Sequence, residues 1–417
     1  MKLEKYSLGI GDRFAQQGEA QLQAIQQAHA AGIPLVPVWN KSNREHQIIR
    51  SSPADTRREA DQAVRALGWD RPYYVDADHI NMVTVNSFME HSDFFTLDVA
   101  DSIGSEVPRE ELEDFLALAD PYTGDLRIPG IKDPFHISRD QLRQIAEKFQ
   151  GAVARASGIY RHIVEKKGAD HFIAEVSMDE VERAQTPSEL FFILLMISHY
   201  QIPVQTIAPK FTGRFNKGVD YVGDVDAFRL EFEQDLLVLD HAVKTFGLPE
   251  NLKLSIHSGS DKFAIYPVMG ALVKQHDQGI HVKTAGTTWL EELIGLALCG
   301  GEALAMAKNI YSKAYCRLEE LCGPYETVID IDPATLPLPP DVDRWDGEKF
   351  AATLRHVPGH PDYHAGFRQL LHVAYKVAAE MGEEFLNLVR QHKDTVAEQV
   401  KTNLYDRHIK RLFNLEK

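Results

Sequence analysis

What most constrains this chain is a regular alternation. Short apolar runs rich in β-branched and aromatic residues are each followed by a longer stretch of helical periodicity. IPLVPVW near Ile33, YYVDAD near Tyr73, FFTLDVA near Phe94 and HFIAEVS near His171 read as strands. VQTIAP near Val204, LKLSIH near Leu252, HVKTA near His281 and TVIDID near Thr327 continue the series. Helical patterns cover 138–167, 187–200, 228–246 and 288–321. Near-continuous apolar strands must be buried on both faces, which calls for parallel pairing with helices outside. About eight such units in succession favour a closed (β/α)8 TIM-type barrel over an open doubly wound sheet. No G-x-G-x-x-G opens a helix after the first run, so the usual dinucleotide signature is missing.

The 417 residues exceed what a bare barrel needs, at about 250 residues. The expected division is a catalytic barrel over 1–340 and a helical C-terminal extension over 341–417 packed on it, the two parted by the Pro-rich stretch 333–340. The span 100–141 reads as an inserted loop with a short helix. With 45 Lys and Arg against 61 Asp and Glu, the formal charge is −16. That field opposes non-specific binding to nucleic acid or an anionic membrane, and an acidic substrate would need a local basic pocket. The longest apolar run, 190–197, is too short to span a bilayer. Cys299, Cys316 and Cys322 lack zinc-ligand spacing and read as buried free thiols. MKLEKYSLGIGDRF has no signal-peptide core. A cytoplasmic protein with no membrane or nucleic-acid partner is expected. No heptad or interface stripe fixes the oligomeric state, and a homo-oligomer is compatible with the sequence.

In a parallel barrel, catalytic groups collect at the carboxyl ends of the strands. The run near Tyr73 ends in Asp76, Asp78, His79 and Asn81, and the one near His171 in Glu175, Ser177 and Asp179. The run near Leu252 ends in His257, Ser258, Asp261 and Lys262, and the next carries His281, Lys283 and Thr284. Imidazole and carboxylate are the ligands a divalent transition metal uses while keeping a position open. His79, His257 and His281 supply three nitrogens, with Asp78 or Glu175 as a further ligand or as acid/base. Against this, Asp76 reads first as a helix cap, and Glu175 is as readily half of a buried ion pair. His356, His360, His364 and His372 read as a solvated face, since Pro358 and Pro361 break any helix there.

Basic residues gather at the same ends. Lys41 and Arg44 follow the first run, Lys210, Arg214 and Lys217 the fifth, and Lys262 and Lys283 the sixth and seventh. Together with Asp261 they suggest a pocket for an anionic small molecule, a carboxylate or phosphate, although Lys217 reads as ordinary surface charge. GIGDRF and SIHSGSDKF offer backbone amides to a phosphate but lack Walker spacing.

The segments YSLGIGDRFAQQGEAQ, VWNKSNREH, PYYVDADHIN, AEVSMDE, LSIHSGSDKF and HVKTAGTTWLE resemble the tagaturonate epimerase family, from about Tyr6 to beyond Trp289. The resemblance implies a divalent-metal isomerase of hexuronate breakdown that interconverts D-tagaturonate and D-fructuronate. It places acid/base carboxylates at Asp78 and Glu175 and metal ligands at His79, His257 and His281. Lys41, Arg44, Lys210, Asp261, Lys262 and Lys283 are the expected substrate contacts. The metal stays open among zinc, manganese, cobalt and nickel, which mixed imidazole and carboxylate donors suit alike. The alternatives are a metal-dependent aldolase, ketose 4-epimerase or sugar isomerase acting on a related keto sugar. A non-catalytic sugar-acid binding protein is disfavoured by so many ionisable groups at strand ends.

Overall fold

The computed structural model describes residues 1–284 and 287–415. Among these, eight parallel strands close into one barrel. In chain order they are β1 (Tyr6–Ile10), β2 (Leu35–Ser42), β3 (Tyr74–Ile80), β4 (Phe94–Asp98), β5 (Ile173–Ser177), β6 (Thr206–Ala208), β7 (Lys253–Ile256) and β8 (Ile280–Lys283). Each pairs with its neighbours in sequence, and β1 closes the ring against β8 with Ser7 opposite His281 and Gly9 opposite Lys283. The (β/α)8 barrel and its C-terminal helices are those expected.

Two details differ. The first strand is YSLGI rather than IPLVPVW, because Gly9 hides it from a β-propensity reading. The glycine is required: a Cβ there would stand 2.9 Å from Lys283 Cγ and 3.1 Å from its Cα. TVIDID is not a strand, since β1 already fills the place between β8 and β2 and leaves no edge to extend. Thr327 and Val328 instead end a short 3-10 turn, Gly323–Val328. Asp330 pairs with Arg214 at 3.0 Å, and Asp332 caps the turn Pro333–Thr335.

Local signals set the helix ends. Ser138 and Thr186 form capping boxes with Gln141 and Glu189, starting Arg139–Lys167 and Pro187–His199. The apolar run 190–197 is buried on every side because its helix lies between Arg139–Lys167 and Val225–Phe246. The pattern over 288–321 is broken into Thr287–Cys299, Gly301–Cys316 and Leu318–Cys322. Gly300 and Gly301 take φ of +69° and +52°, a region that stops a helix and that glycine enters without strain. The insertion over 100–141 holds the expected short helix, Arg109–Ala119, and also a two-stranded hairpin, Gly124–Leu126 with Phe135–Ile137.

Apolar packing forms two main bodies. The barrel's cluster runs from Leu8 to Val282 and resumes at Val396, Val400, Leu404, Ile409 and Leu412. A second cluster joins Trp289, Leu293, Ile310, Phe350, Phe367 and Phe385. The chain therefore leaves the barrel, builds a helical body, and returns to pack its last helices on the barrel wall. The cysteines are free thiols, but half-buried at Cys299 and Cys322 and exposed at Cys316, not buried as expected. Among the described residues no helix is long and apolar enough to cross a membrane.

Candidate active site

Alternation along each strand sends every second side chain into the barrel. At the amino end Leu3, Val36, Val38, Tyr74, Phe94 and Ile173 form an apolar plug. Above it the interior turns polar. Lys283 Nζ donates to Asp76 Oδ2 at 2.8 Å, Asp78 Oδ1 at 2.9 Å and Thr96 Oγ1 at 2.6 Å, and lies 3.0 Å from Glu175 Oε1. Thr96 Oγ1 is also 3.0 Å from both Asp76 oxygens and 3.1 Å from Glu175 Oε1. Asp76 is therefore a member of this buried network and not a helix cap.

One ammonium faces three buried carboxylates, and this sets the direction in which each group titrates. Burial disfavours the Lys283 ammonium, yet Asp76, Asp78 and Glu175 hold its pKa well above the lysine range. Burial raises all three carboxyls. Lys283 and His79 outweigh it at Asp78, and Lys283 and His257 outweigh it at Glu175, so both lie well below their usual values. Asp76 is pushed up to about 7, because burial and its carboxylate neighbours exceed what a shared Lys283 returns. The trio's most readily held proton sits on Asp76.

At the carboxyl ends stands a second layer. His79, Asp179 and His257 each offer a donor atom, all within 4.8 Å of one another. Asp78 and His79 are consecutive on β3 and would ordinarily point to opposite faces. A register irregularity between Ala77 and Ile80, with His79 at φ +51°, turns both toward the site, and His79 Nδ1 lies 2.9 Å from Asp78 Oδ1. His257 is gripped from both sides, with Nε2 2.8 Å from Glu175 Oε1 and Nδ1 3.0 Å from Asp179 Oδ1. Burial lowers both imidazoles, but their carboxylates win, raising His257 to about 9 and His79 well above its usual value. Two imidazoles and a carboxylate suit a divalent cation with an open position. His79 Nε2, buried and 3.6 Å from Asp179 Oδ1, faces the cluster and becomes a donor for the cation once its proton is lost.

These groups line a cavity of about 310 Å³ together with Asp78, Asp98, Glu180 and Lys283. It continues through Arg44, Lys217 and Tyr325 into an outer one of about 650 Å³ that reaches Lys210. Of the expected site residues, Asp78, His79, His257, Arg44, Lys210 and Lys283 line this double cavity; the others stand elsewhere. His281 lies one residue pair deeper than Lys283, its Nδ1 2.8 Å from Ser7 Oγ and its ring against Phe94. Burial drives its pKa down to about 3, as befits a neutral core histidine. Glu175 sits beneath the cavity and meets it only through His257 and Lys283. Lys41 Nζ is buried on the Arg13 carbonyl. Lys262 Nζ donates to the carbonyls of Asn216, Val219 and Ser260. Asp261 is ion-paired to Arg368 at 2.8 Å, with His356 and His408 each 3.8 Å away. Alternation along a strand reports neither depth in the barrel nor the path of the next loop, so in sequence these residues resemble the ones that line the cavity.

Asp179 was within reach of the sequence, since it continues the two-residue rhythm of Glu175 and Ser177. Lys217 is no ordinary surface charge, because it faces the cavity, and Tyr325 carried no sequence signal. His356 and His372 are buried, and His364 caps the helix Ala365–Val373, so the four tail histidines are not one solvated face. Asp12 of GIGDRF is itself the acceptor for the Phe14 amide and for those of Ala15, Gln16 and Gln17 just beyond the motif.

Comparison with known proteins gives the family. A tagaturonate/fructuronate epimerase of Thermotoga maritima is 26% identical over 429 residues, covering 98% of this chain and 80% of that protein. A glycerol-complexed crystal structure of fructuronate-tagaturonate epimerase from Cohnella laeviribosi superimposes with a TM-score of 0.82 at 21% identity, over 99% of this chain and 82% of that one. The native structure of that enzyme gives 0.78 over the same shares. The profile of the tagaturonate epimerase family matches residues 1–412, and the chain belongs to that family of isomerases.

Proposed function

We propose that this enzyme interconverts D-tagaturonate and D-fructuronate with a divalent cation held by His79, Asp179 and His257. The observation that carries this reading is the three-donor cluster at the carboxyl mouth of a barrel of this family, directly above a buried Lys–carboxylate network. The donor set fits zinc, manganese, cobalt or nickel. When bound, the cation supplies Lewis-acid polarisation of the substrate's ketone and hydroxyl oxygens.

The chain's own groups do the rest. The stereocentre is one carbon beyond the ketone's α-carbon, so its hydrogen is not acidified directly. Either the bond between the α-carbon and that centre is broken and remade, or the carbonyl first moves along the chain. Both routes need one group that removes a proton and another that returns it. Asp78, kept ionised by Lys283 and His79, is the base in the cavity wall. Lys283 sets positive charge at the cavity floor, where an oxyanion develops. Glu175 and Asp179 approach from β5 and the loop after it, and Glu175 acts as a positioning residue through His257 and Lys283. The cavity suits a small-molecule hexuronate keto acid. Three free thiols accord with a reducing, cytoplasmic setting, and homo-oligomers are compatible with this reading.

The test is to strip the protein with chelator and follow D-tagaturonate by NMR with and without added divalent metals. D-fructuronate appearing only with metal restored is the expected result. Full turnover without metal, or in His257→Ala, refutes the metal centre. No conversion with any metal refutes the reaction.

A further inference from the structure

We infer that Arg44 and Lys217, converging on the ring of Tyr325 at the junction of the two cavities, form the subsite that holds the carboxylate of the sugar acid. The inference deepens the epimerase reading and rests on it. Arg44 Cζ lies 5.0 Å and Lys217 Nζ 5.4 Å from the centroid of the Tyr325 ring. Of the other cations lining these cavities, Lys210 stands in the outer one and three are already matched by carboxylates. Arg13 pairs with Glu45 at 3.0 Å, Arg214 with Asp330 at 3.0 Å, and Lys283 with its three carboxylates. Among the described residues Arg44 and Lys217 show no ion pair. On a chain of net charge −16, two uncompensated cations aimed at one wall of a cavity require a reason.

Their placement is built, not incidental. The main chain on either side of Lys217 is pinned by buried cations. Lys262 Nζ binds the Asn216 and Val219 carbonyls, and Arg368 Nε binds that of Gly218 at 2.5 Å. The Lys217 amide donates to the Val328 carbonyl, tying this loop to the turn that carries Tyr325. The Tyr325 hydroxyl lies 3.2 Å from that of Tyr375, which fixes the ring. Arg44 follows Ser42, whose capping box with Glu45 sets the start of Asn43–Ile49.

Charge then orients the substrate. Asp78 and Asp98 line the inner cavity alone and repel a carboxylate there, Asp179 and Glu180 line both cavities, and Arg44 and Lys217 stand at the junction. The acid group lies outward at the junction and the keto-polyol end reaches inward to His79, Asp179 and His257. Because Tyr325 comes from the helical body beyond β8, the barrel alone does not complete the pocket.

The experiment compares wild type with Arg44→Gln, Lys217→Met and the double variant, each metal-loaded. KM and kcat are measured on D-tagaturonate and on the neutral ketose D-tagatose. Binding of D-galactonate, a sugar acid without the ketone, is measured by calorimetry. Each charge-assisted contact is worth about tenfold or more. The expected result is a uronate KM raised at least that much in each single variant, a far smaller change for the neutral ketose, and a matching loss of D-galactonate affinity. Equal losses for acid and neutral sugar, or unchanged D-galactonate binding in the double variant, overturn the subsite. D-galactonate binding that needs both cations in a protein that does not convert D-tagaturonate would keep the subsite and reject the epimerase reading alone.

Discussion

Replacing Lys283 by methionine keeps an unbranched stem one atom shorter and removes its charge, leaving Asp76, Asp78 and Glu175 buried around an apolar terminus. All three lie within 3.0 Å of Nζ in the native protein, and none of these side chains is more than 9% exposed. Removing one partner of a buried ionic group costs about 3–5 kcal/mol, because the remaining charges have no water to return to. The loss depends on pH, and its sign is set by the shifts. Asp78 and Glu175 are depressed, so the stability they contribute is present above their unfolded values, about 4, and fades as pH falls through the depressed folded ones. Without Lys283 each of the three carboxyls shifts upward from its native position, Asp78 and Glu175 still being held by His79 and His257. The variant therefore gains less stability than wild type as the carboxyls ionise with rising pH. The deficit relative to wild type is therefore largest near pH 8 and shrinks toward pH 5. Urea unfolding of chelator-treated proteins at the two pH values measures it. A deficit that is the same at both, or larger in acid, would refute the argument that Lys283 serves as counter-charge.

Gly9→Ala drives a methyl into Lys283 Cγ and backbone, and should cost about 1–3 kcal/mol with a loss of turnover; unchanged stability would show that β1 and β8 separate freely. His79 and His257 must shed protons to ligate a cation, and both are held charged, His257 up to about 9. Metal affinity should therefore rise from pH 6 to pH 8 with proton release, readable by calorimetry in buffers of different ionisation enthalpy; a pH-independent affinity would count against these ligands. His281→Gln should leave metal affinity as it is, since His281 bonds to Ser7 below the cluster, and loss of metal would restore it as a ligand. Arg368→Met strands the buried Asp261 carboxylate, at a cost of about 3–5 kcal/mol. Hydrogen exchange should then quicken in 403–409, where His408 accepts from the Asp261 amide.

The barrel was legible because its strands are short, mostly apolar and rich in β-branched and aromatic residues, and alternate with longer segments of helical period, a contrast that a parallel sheet buried on both faces imposes. The site was legible in part, because strand ends are where such a barrel gathers chemistry. His79 and His257 follow that rule into the donor cluster. His281 is at a strand end by the same rule but sits one layer lower, against Ser7 and Phe94. Lys262 and Asp261 fail for another reason: they lie past the strand end, in a loop that turns away to meet Arg368. Tyr325 could not have been found, because nothing local to Gly323–Val328 records that the chain folds back over the barrel mouth.

Read as a string, these residues determine most of the order of strands and helices, the helix starts after Ser138 and Thr186, and the acidic charge. The elements and their starts depend on neighbours within a few positions, through periodicity and capping. Tertiary structure alone decides that Gly9 admits Lys283 to the barrel, that one ammonium serves three carboxylates drawn from β3 and β5, and that Asp179 joins two histidines. Only there do Arg44 and Lys217 meet over a tyrosine from a distant helical body. Electrostatic partnership depends on distance through space and on burial, and the closing of the barrel sets both.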